Sequence, residues 1–240
     1  MWSVKKELSI IVPAYNEETN LEKTISEAYS CAVKCLEAFE LMVVNDGSTD
    51  RTGQIADALA IQFPSAMKVV HFKQNRGVGA AYREGLKLAR FPFLTVIPGD
   101  NAFHQTGVER VFSLVGTSNL IVSYRSNPQA RSALRRWLSR FATLLMRGLT
   151  GSHIRDAHSL FVFPVDLARK IHVPLGYGYH LESLSRLLLM TDSFVEVPVE
   201  LNPKPDQSSG VMKLGTVMKL AGTVLRLYAL RIAGRLTPRA

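Results

Sequence analysis

Phe91-Pro-Phe-Leu-Thr-Val-Ile97-Pro98-Gly99-Asp100-Asn101 is the stretch that decides the fold. Residues 91–97 form an apolar run that reads as a buried strand, and the run stops at Pro-Gly-Asp-Asn. Proline has no N–H with which to continue a ladder, and glycine accepts unusual backbone angles, so the chain must turn here. The turn sets one carboxylate, Asp100, at the C-terminal rim of a sheet. Open α/β sheets bind their ligands at that rim.

Working outward, the same pattern recurs. Leu8-Ser-Ile-Ile-Val-Pro13 is a short β-rich run ending in proline, and Glu17–Leu36 follows with helical spacing through Leu21, Ile25, Ala28 and Ala32. Glu40-Leu-Met-Val-Val-Asn45 is a second strand that ends in the turn cluster Asp46-Gly-Ser-Thr-Asp50, with a helix at Arg51–Gln62. Lys68–Phe72 is a third strand, and Asn75-Arg-Gly-Val-Gly79 leads into a helix at Ala80–Ala89. Strands that alternate with helices, each strand nearly continuous in apolar residues, predict a parallel sheet covered on both faces. Further on, Leu120–Ser123, Ser159–Phe163 and Phe194–Val199 read as strands, and Ala133–Leu149, His180–Met190 and Val211–Gly234 as helices. Pro203, Pro205, Gln207, Ser208, Ser209 and Gly210 form a loop before the last helix. The expected organisation is one α/β domain over 1–210 and a basic amphipathic helix over 211–240.

The chain has 240 residues, 47% of them hydrophobic and 20% charged, which is enough for one sizeable core. The net charge of +9 is regional. Arg125–Arg155 holds seven arginines and no acid, and Lys204–Ala240 holds seven basic residues and one Asp. Both regions carry apolar helical patterns, so they read either as surfaces for anionic headgroups or as solvated basic faces. They lack the interleaved aromatic platforms of single-strand binders, so nucleic acid is not an expected partner. Cys31 and Cys35 are not spaced as C-x-x-C and have no His cluster beside them, which points to buried or half-buried thiols in a reducing compartment. There is no secretory leader pattern and no run of about 18 uncharged apolar residues, so a cytoplasmic location at the membrane face is expected.

In a parallel sheet the loops after the strands converge on one crevice. That gathers Glu17, Asp46, Asp50 and Asp100 at one rim. Carboxylates there accept hydrogen bonds from a base or ribose, or hold a hard cation. Asp50 reads better as a cap for the helix that follows it. Asn75-Arg-Gly-Val-Gly79 is no Walker loop, because no Gly-Lys-Ser/Thr follows, and no G-x-G-x-x-G follows the first strand.

Val12-Pro-Ala-Tyr-Asn-Glu-Glu18, Val44-Asn-Asp-Gly-Ser-Thr-Asp-Arg-Thr52 and Asn75-Arg-Gly-Val-Gly-Ala-Ala81 closely resemble the family 2 glycosyltransferases, in this order and spacing. The second half resembles more loosely the branch of dolichyl-phosphate mannose synthases and related polyprenyl-phosphate glycosyltransferases. The features there are Ser123-Tyr-Arg125, Arg135-Arg-Trp-Leu-Ser139, Asp156-Ala-His-Ser159 and the Lys204–Ser209 loop. The resemblance implies a GT-A-type, mostly parallel sheet and a nucleotide-sugar donor, GDP-mannose or a UDP-sugar. It implies that Pro13, Tyr15, Glu17 and Asp46 hold the nucleoside. Asp100 falls on the second acid of the D-x-D motif, so it would meet the diphosphate and, with Asn101, a Mg2+ or Mn2+ ion. Arg125 and Arg135 match phosphate-holding arginines, and Lys204 a basic residue near the diphosphate. Pro98 stands where the first acid of D-x-D falls, and Ser159-Leu-Phe-Val replaces the usual Ser-Gly-Phe-Arg.

The implied reaction is displacement at the anomeric carbon with inversion. A hydroxyl acceptor needs a general base, and no Glu-Asp dipeptide of the kind many such enzymes use is present. A phosphate acceptor, with a second pKa of about 6, is already ionised and needs arginines instead. Polyprenyl or dolichyl phosphate is therefore the expected acceptor. Asp156 is either a base or metal-side acid, or the partner of Arg155 or Arg135 in an ion pair. The basic helices would lie on the membrane surface, or else pack on the core or on a second copy in a homo-oligomer. The competing expectation is a non-catalytic nucleotide-sugar-binding or scaffold protein.

Overall fold

The computed structural model describes residues 5–130, 132–171, 178–191, 193–203, 214–234 and 236, with the backbone alone over 214–220. Lys204 and the rest of the 204–213 loop lie outside the described residues, as do 235 and 237–240. The first half follows the alternating pattern: β1 (Glu7–Ala14), α1 (Leu21–Cys35), β2 (Ala38–Asn45), α2 (Thr52–Gln62), β3 (Met67–His71), α3 (Val78–Leu88) and β4 (Phe93–Val96). The second half adds α4 (Gln105–Ser113), β5 (Ile121–Arg125), a short 3-10 turn at Pro128–Ala130, α5 (Ala133–Thr150), β6 (Phe161–Pro164), α6 (Val165–Arg169), α7 (Tyr179–Met190), β7 (Val195–Val199) and α8 (Leu214–Ile232).

The seven strands form one sheet in the order β3-β2-β1-β4-β6-β5-β7. β1 pairs in parallel with β2 and β4, β2 with β3, and β5 with β7. β6 runs antiparallel to both of its neighbours, β4 and β5. The mostly parallel α/β architecture expected from the alternation is present, with one reversed strand that a four-residue apolar run could not announce.

Alternation of side chains along the strands divides the core in two. Ile10, Val12, Leu41 and Val43 face α1, α2 and α4 with Leu21, Ile25, Val111 and Phe112. Ile11, Met42, Val44, Leu94 and Val122 face the other layer with Tyr82, Phe163, Leu184 and Leu188. Gly85 of α3 is where this second layer approaches most closely, because a Cβ there would lie 2.4 Å from the Ile11 side chain. Cys31 is buried and Cys35 half-buried, both free. Burial, first of all, pushes the Cys31 thiol up to about 12, so it packs as a small apolar side chain.

Two of the differences from the expected elements have clear local reasons. α1 begins at Leu21 rather than Glu17, because Glu17–Asn20 closes a turn in which the Glu17 carbonyl accepts from Asn20 and Leu21. α4 was not expected at all. It carries Gly107 in its first turn, where a Cβ would lie 3.0 Å from Val199 of β7, so close packing on β7 explains a residue that weakens the helical pattern. α8 packs beside α5 and α7: the Tyr228 hydroxyl donates to the Leu145 carbonyl at 2.7 Å, and Arg226 pairs with Glu182. Glu182 is 0% exposed and also holds Arg186 one turn along α7. Among the described residues no helix is long and apolar enough to cross a membrane.

Candidate active site

The exits of β1, β2, β3 and β4 lie at one rim, and hydrogen bonds tie them together. After β1 the chain passes through Asn16 at φ 55°, a left-handed conformation that asparagine tolerates. The N–H groups of Asn16, Glu17 and Glu18 then donate to Ser48 Oγ (3.0 Å), Thr52 Oγ1 (2.8 Å) and Asp50 Oδ2 (3.2 Å). Asn16 Oδ1 accepts from the Thr49 N–H at 2.9 Å in return. Asp50 takes the N–H and the hydroxyl of Thr52, so it braces the start of α2. Burial would raise its carboxyl, but these bonds hold it below the usual range. Between the two loops Tyr15 stands nearly half exposed, beside half-buried Pro13 and Glu17.

Asn45 closes β2 from within. Its Oδ1 accepts from the Ser48 N–H, which leaves Nδ2 to donate to His71 Nδ1 at 3.0 Å. The His71 proton therefore sits on Nε2, where Asp57 accepts it at 2.9 Å.

Asp46 is only 4% exposed. One of its oxygens accepts from the Arg76 N–H at 2.7 Å and the other from the Gly77 N–H at 2.8 Å. The carboxylate thus fastens the Asn75-Arg-Gly turn to the end of β2. Gly47 makes this approach feasible: a Cβ at its φ of 69° would lie 2.4 Å from the Gln74 backbone. The Arg76 guanidinium lies over the Phe72 ring at 4.7 Å.

The Pro98–Asn101 turn is held from three sides. The Gly99 N–H donates to the Pro13 carbonyl at 3.0 Å, and the Gly99 carbonyl accepts from Thr24 of α1 at 3.0 Å. Asn101, at φ 49°, is bonded through its carbonyl and its Oδ1 to Asn202. Asp100 lies half-buried between them. Among the described residues no three His, Cys, Asp or Glu side chains gather as a metal-binding group.

On the β5 and β6 side of the rim, Arg125 and Asp156 form a two-pronged pair, Nε to Oδ2 at 2.5 Å and a terminal nitrogen to Oδ1 at 2.6 Å. Both side chains are 9% exposed. Ser139 of α5 takes a further Arg125 N–H at 2.6 Å, and the His158 N–H donates to Asp156. Burial works to raise the Asp156 carboxyl; the bonded Arg125 guanidinium overrides it and holds the group below the usual carboxylate range. Of the two readings of Asp156, base or ion-pair partner of Arg155 or Arg135, neither is met as stated: the carboxylate is paired, but with Arg125. Arg155 pairs with Glu196 and stacks on Tyr124, and Arg135 lies half-buried in the first turn of α5.

The structure thus brings Pro13, Tyr15, Glu17, Asp46, Asp100 and Asn101 to one rim, with Arg125 and Asp156 on the continuation of that rim. Sequence reasoning missed Asn127 and Asn202, single asparagines just beyond β5 and β7. They carry no pattern signal, because their bonds reach across 74 and 101 positions of chain.

The architecture is similar to that of glucosyl-3-phosphoglycerate synthase from Mycobacterium tuberculosis, crystallised with Mn2+, UDP and glucosyl-3-phosphoglycerate, at TM-score 0.67 and 21% identity over 92% of this chain and 79% of that one. In sequence the chain is 27% identical to polyprenol monophosphomannose synthase of Mycolicibacterium smegmatis, covering 93% of this chain and 84% of the relative. It is 28% identical to a Pseudomonas aeruginosa undecaprenyl-phosphate 4-deoxy-4-formamido-L-arabinose transferase over 62% of this chain, and spans 44% of that relative's length. The family model described as glycosyl transferase family 2 matches residues 9–171, which takes in every strand exit described above except that of β7. Both halves of the rim, from the Pro13–Glu17 loop to the Asp156 segment, fall inside that match, and the chain belongs to glycosyl transferase family 2.

Proposed function

We propose that this chain transfers a hexose from a nucleotide-sugar donor, GDP-mannose or a UDP-sugar, to a polyprenyl or dolichyl phosphate, with inversion at the anomeric carbon. The observation that carries this is the hydrogen-bonded rim. Four loops that would hold a nucleoside diphosphate are fastened to one another by the protein's own hydrogen bonds, so little ordering is left for binding.

Pro13, Tyr15, Glu17 and Asp46 frame the nucleoside, and Asp100 faces the diphosphate. Lys204 belongs to the loop that would reach the same diphosphate. The donor set at Asp100 and Asn101 is all oxygen, the right kind for Mg2+ or Mn2+, with the remaining positions left to diphosphate oxygens and water. Such an ion, when bound, would neutralise charge on the departing diphosphate. The acceptor needs no proton removed, which agrees with an Asp156 carboxylate that is held by Arg125 and poorly suited to take one. Arg125 then positions the β5 rim, and Arg135 with the other arginines of α5 meets the acceptor phosphate.

α5 presents Leu134, Trp137, Phe141 and Leu144 to solvent, with Trp137 62% and Leu144 60% exposed. An apolar stripe on a helix with arginines and no acids suits an anionic bilayer surface. Residues 1–210 act as the transferase domain and 211–240 as a basic segment whose helix α8 is braced against it, at the cytoplasmic membrane face. The second reading, a nucleotide-sugar-binding or scaffold protein without transfer, rests on Pro98 in place of the first acid of D-x-D. A thermal-shift screen of nucleotide sugars with and without Mn2+ and Mg2+, followed by transfer to polyprenyl phosphate, tests both. Stabilisation by one donor and product formation is the expected result; stabilisation with no product from any donor establishes the second reading.

A further inference from the structure

Asn202 sits where β7 leaves the sheet, and its side chain reaches three acceptors on another loop. Nδ2 lies 2.9 Å from the Asn101 carbonyl, 3.2 Å from Asn101 Oδ1 and 3.1 Å from the Phe103 carbonyl. Three oxygens around one amide end fix its orientation, since a flipped amide would set oxygen against oxygen. The Asn202 N–H adds a bond to the Ala102 carbonyl at 3.0 Å, and Phe103 bridges Leu201. Asn101 is in the left-handed region, φ 49°, which asparagine tolerates and which turns both of its oxygens toward Asn202. Asn202 is the side chain that bonds both its carbonyl and its Oδ1.

Asn127 does for the other side what Asn202 does for this one. Its Oδ1 accepts from the Leu201 N–H at 2.8 Å and its Nδ2 donates to the Leu201 carbonyl at 2.9 Å. Residues 201 and 202 are thus pinned to the exits of both β5 and β4. Lys204 follows two residues later.

We infer that Asn202 is a positioning residue for the diphosphate half of the site: it sets the Asp100–Asn101 turn and ties it to the exit of β7. The inference rests on the nucleotide-sugar reading of the rim. It predicts a defect that depends on the β-phosphate and spares the nucleoside.

The test is calorimetric titration of the full chain with UDP and UMP, and with GDP and GMP, in Mn2+. Wild-type protein should bind one diphosphate more tightly than its monophosphate. Asn202→Ala should weaken the diphosphate about tenfold and leave the monophosphate within about twofold, the scale of losing hydrogen bonds at a fixed geometry. Asn202→Gln keeps the amide donor but moves it by one methylene, so it should show a smaller loss with the same selectivity, and it keeps the test open where the alanine variant folds poorly. Asn127→Ala, which leaves the Asn101 contacts in place, should lose less. Equal weakening of monophosphate and diphosphate, or no change in either, overturns the inference while the rim keeps its reading. Wild-type protein that binds neither UDP nor GDP overturns the reading of the rim and the inference with it.

Discussion

Asp100 is the residue on which the proposed chemistry turns. It is half-buried in a turn whose backbone is bonded to Pro13, Thr24 and Asn202, so its side chain can be removed without removing the turn. Asp100→Ala should abolish transfer and leave the circular dichroism spectrum and melting temperature near wild type; near-normal turnover would mean that the diphosphate lies elsewhere. His180 gives a prediction of another kind. Its Nε2 lies 3.0 Å from the Ser159 carbonyl beside the Phe161 ring, and burial pushes the imidazole from 6.5 down to about 4. Between those values the unfolded chain binds a proton that the folded chain does not, so acidification from pH 6.5 towards 4 favours unfolding. The loss should be complete below the folded value and absent above 6.5. Urea midpoints measured across that interval should fall with pH in wild type and fall less steeply in His180→Leu.

At the scale of elements, α5 is the one whose two faces disagree most. Thr143, Met146, Leu149 and Thr150 are buried against the body, while Leu134, Trp137, Phe141 and Leu144 are exposed, with the Trp137 and Phe141 rings stacked at 5.7 Å. On the proposed membrane-surface role, wild type should float with vesicles of anionic lipid, and replacing Trp137 and Phe141 together by serine should release it with no fall in melting temperature. A variant that floats as well as wild type would move the contact elsewhere. Much of this level was legible in the sequence. The exits of β2 and β4 announced themselves because an apolar run meets Asp46-Gly47 or Pro98-Gly99, which turn the chain by their own stereochemistry, while β1 runs through Pro13 to Ala14 before it turns. What stayed hidden was set by distance or direction. The Arg125–Asp156 pair spans 31 positions, the running direction of Phe161–Pro164 depends on its neighbours, and the nine residues of α4 offer too few apolar positions around Gly107.

At the scale of the whole molecule, the reversal of β6 matters more than its four residues suggest. β5 arrives at the rim with Arg125, and β6 departs from the same rim just after Asp156. Everything between them, including α5, leaves the rim and returns to it without crossing the sheet. Antiparallel neighbours usually need only a tight turn, so this excursion is not required to complete the strand pairing. The Arg125–Asp156 bridge, at its two feet, closes its neck. The segment is therefore an excursion stapled at its base, with Thr143, Met146 and Leu149 packing its inner face on the body. A chimera that takes residues 126–155 from a relative should keep its preference between UDP and GDP, and acquire the lipid-vesicle preference of the segment's source. Under the proposed function, donor recognition and docking on a lipid surface would be inherited separately.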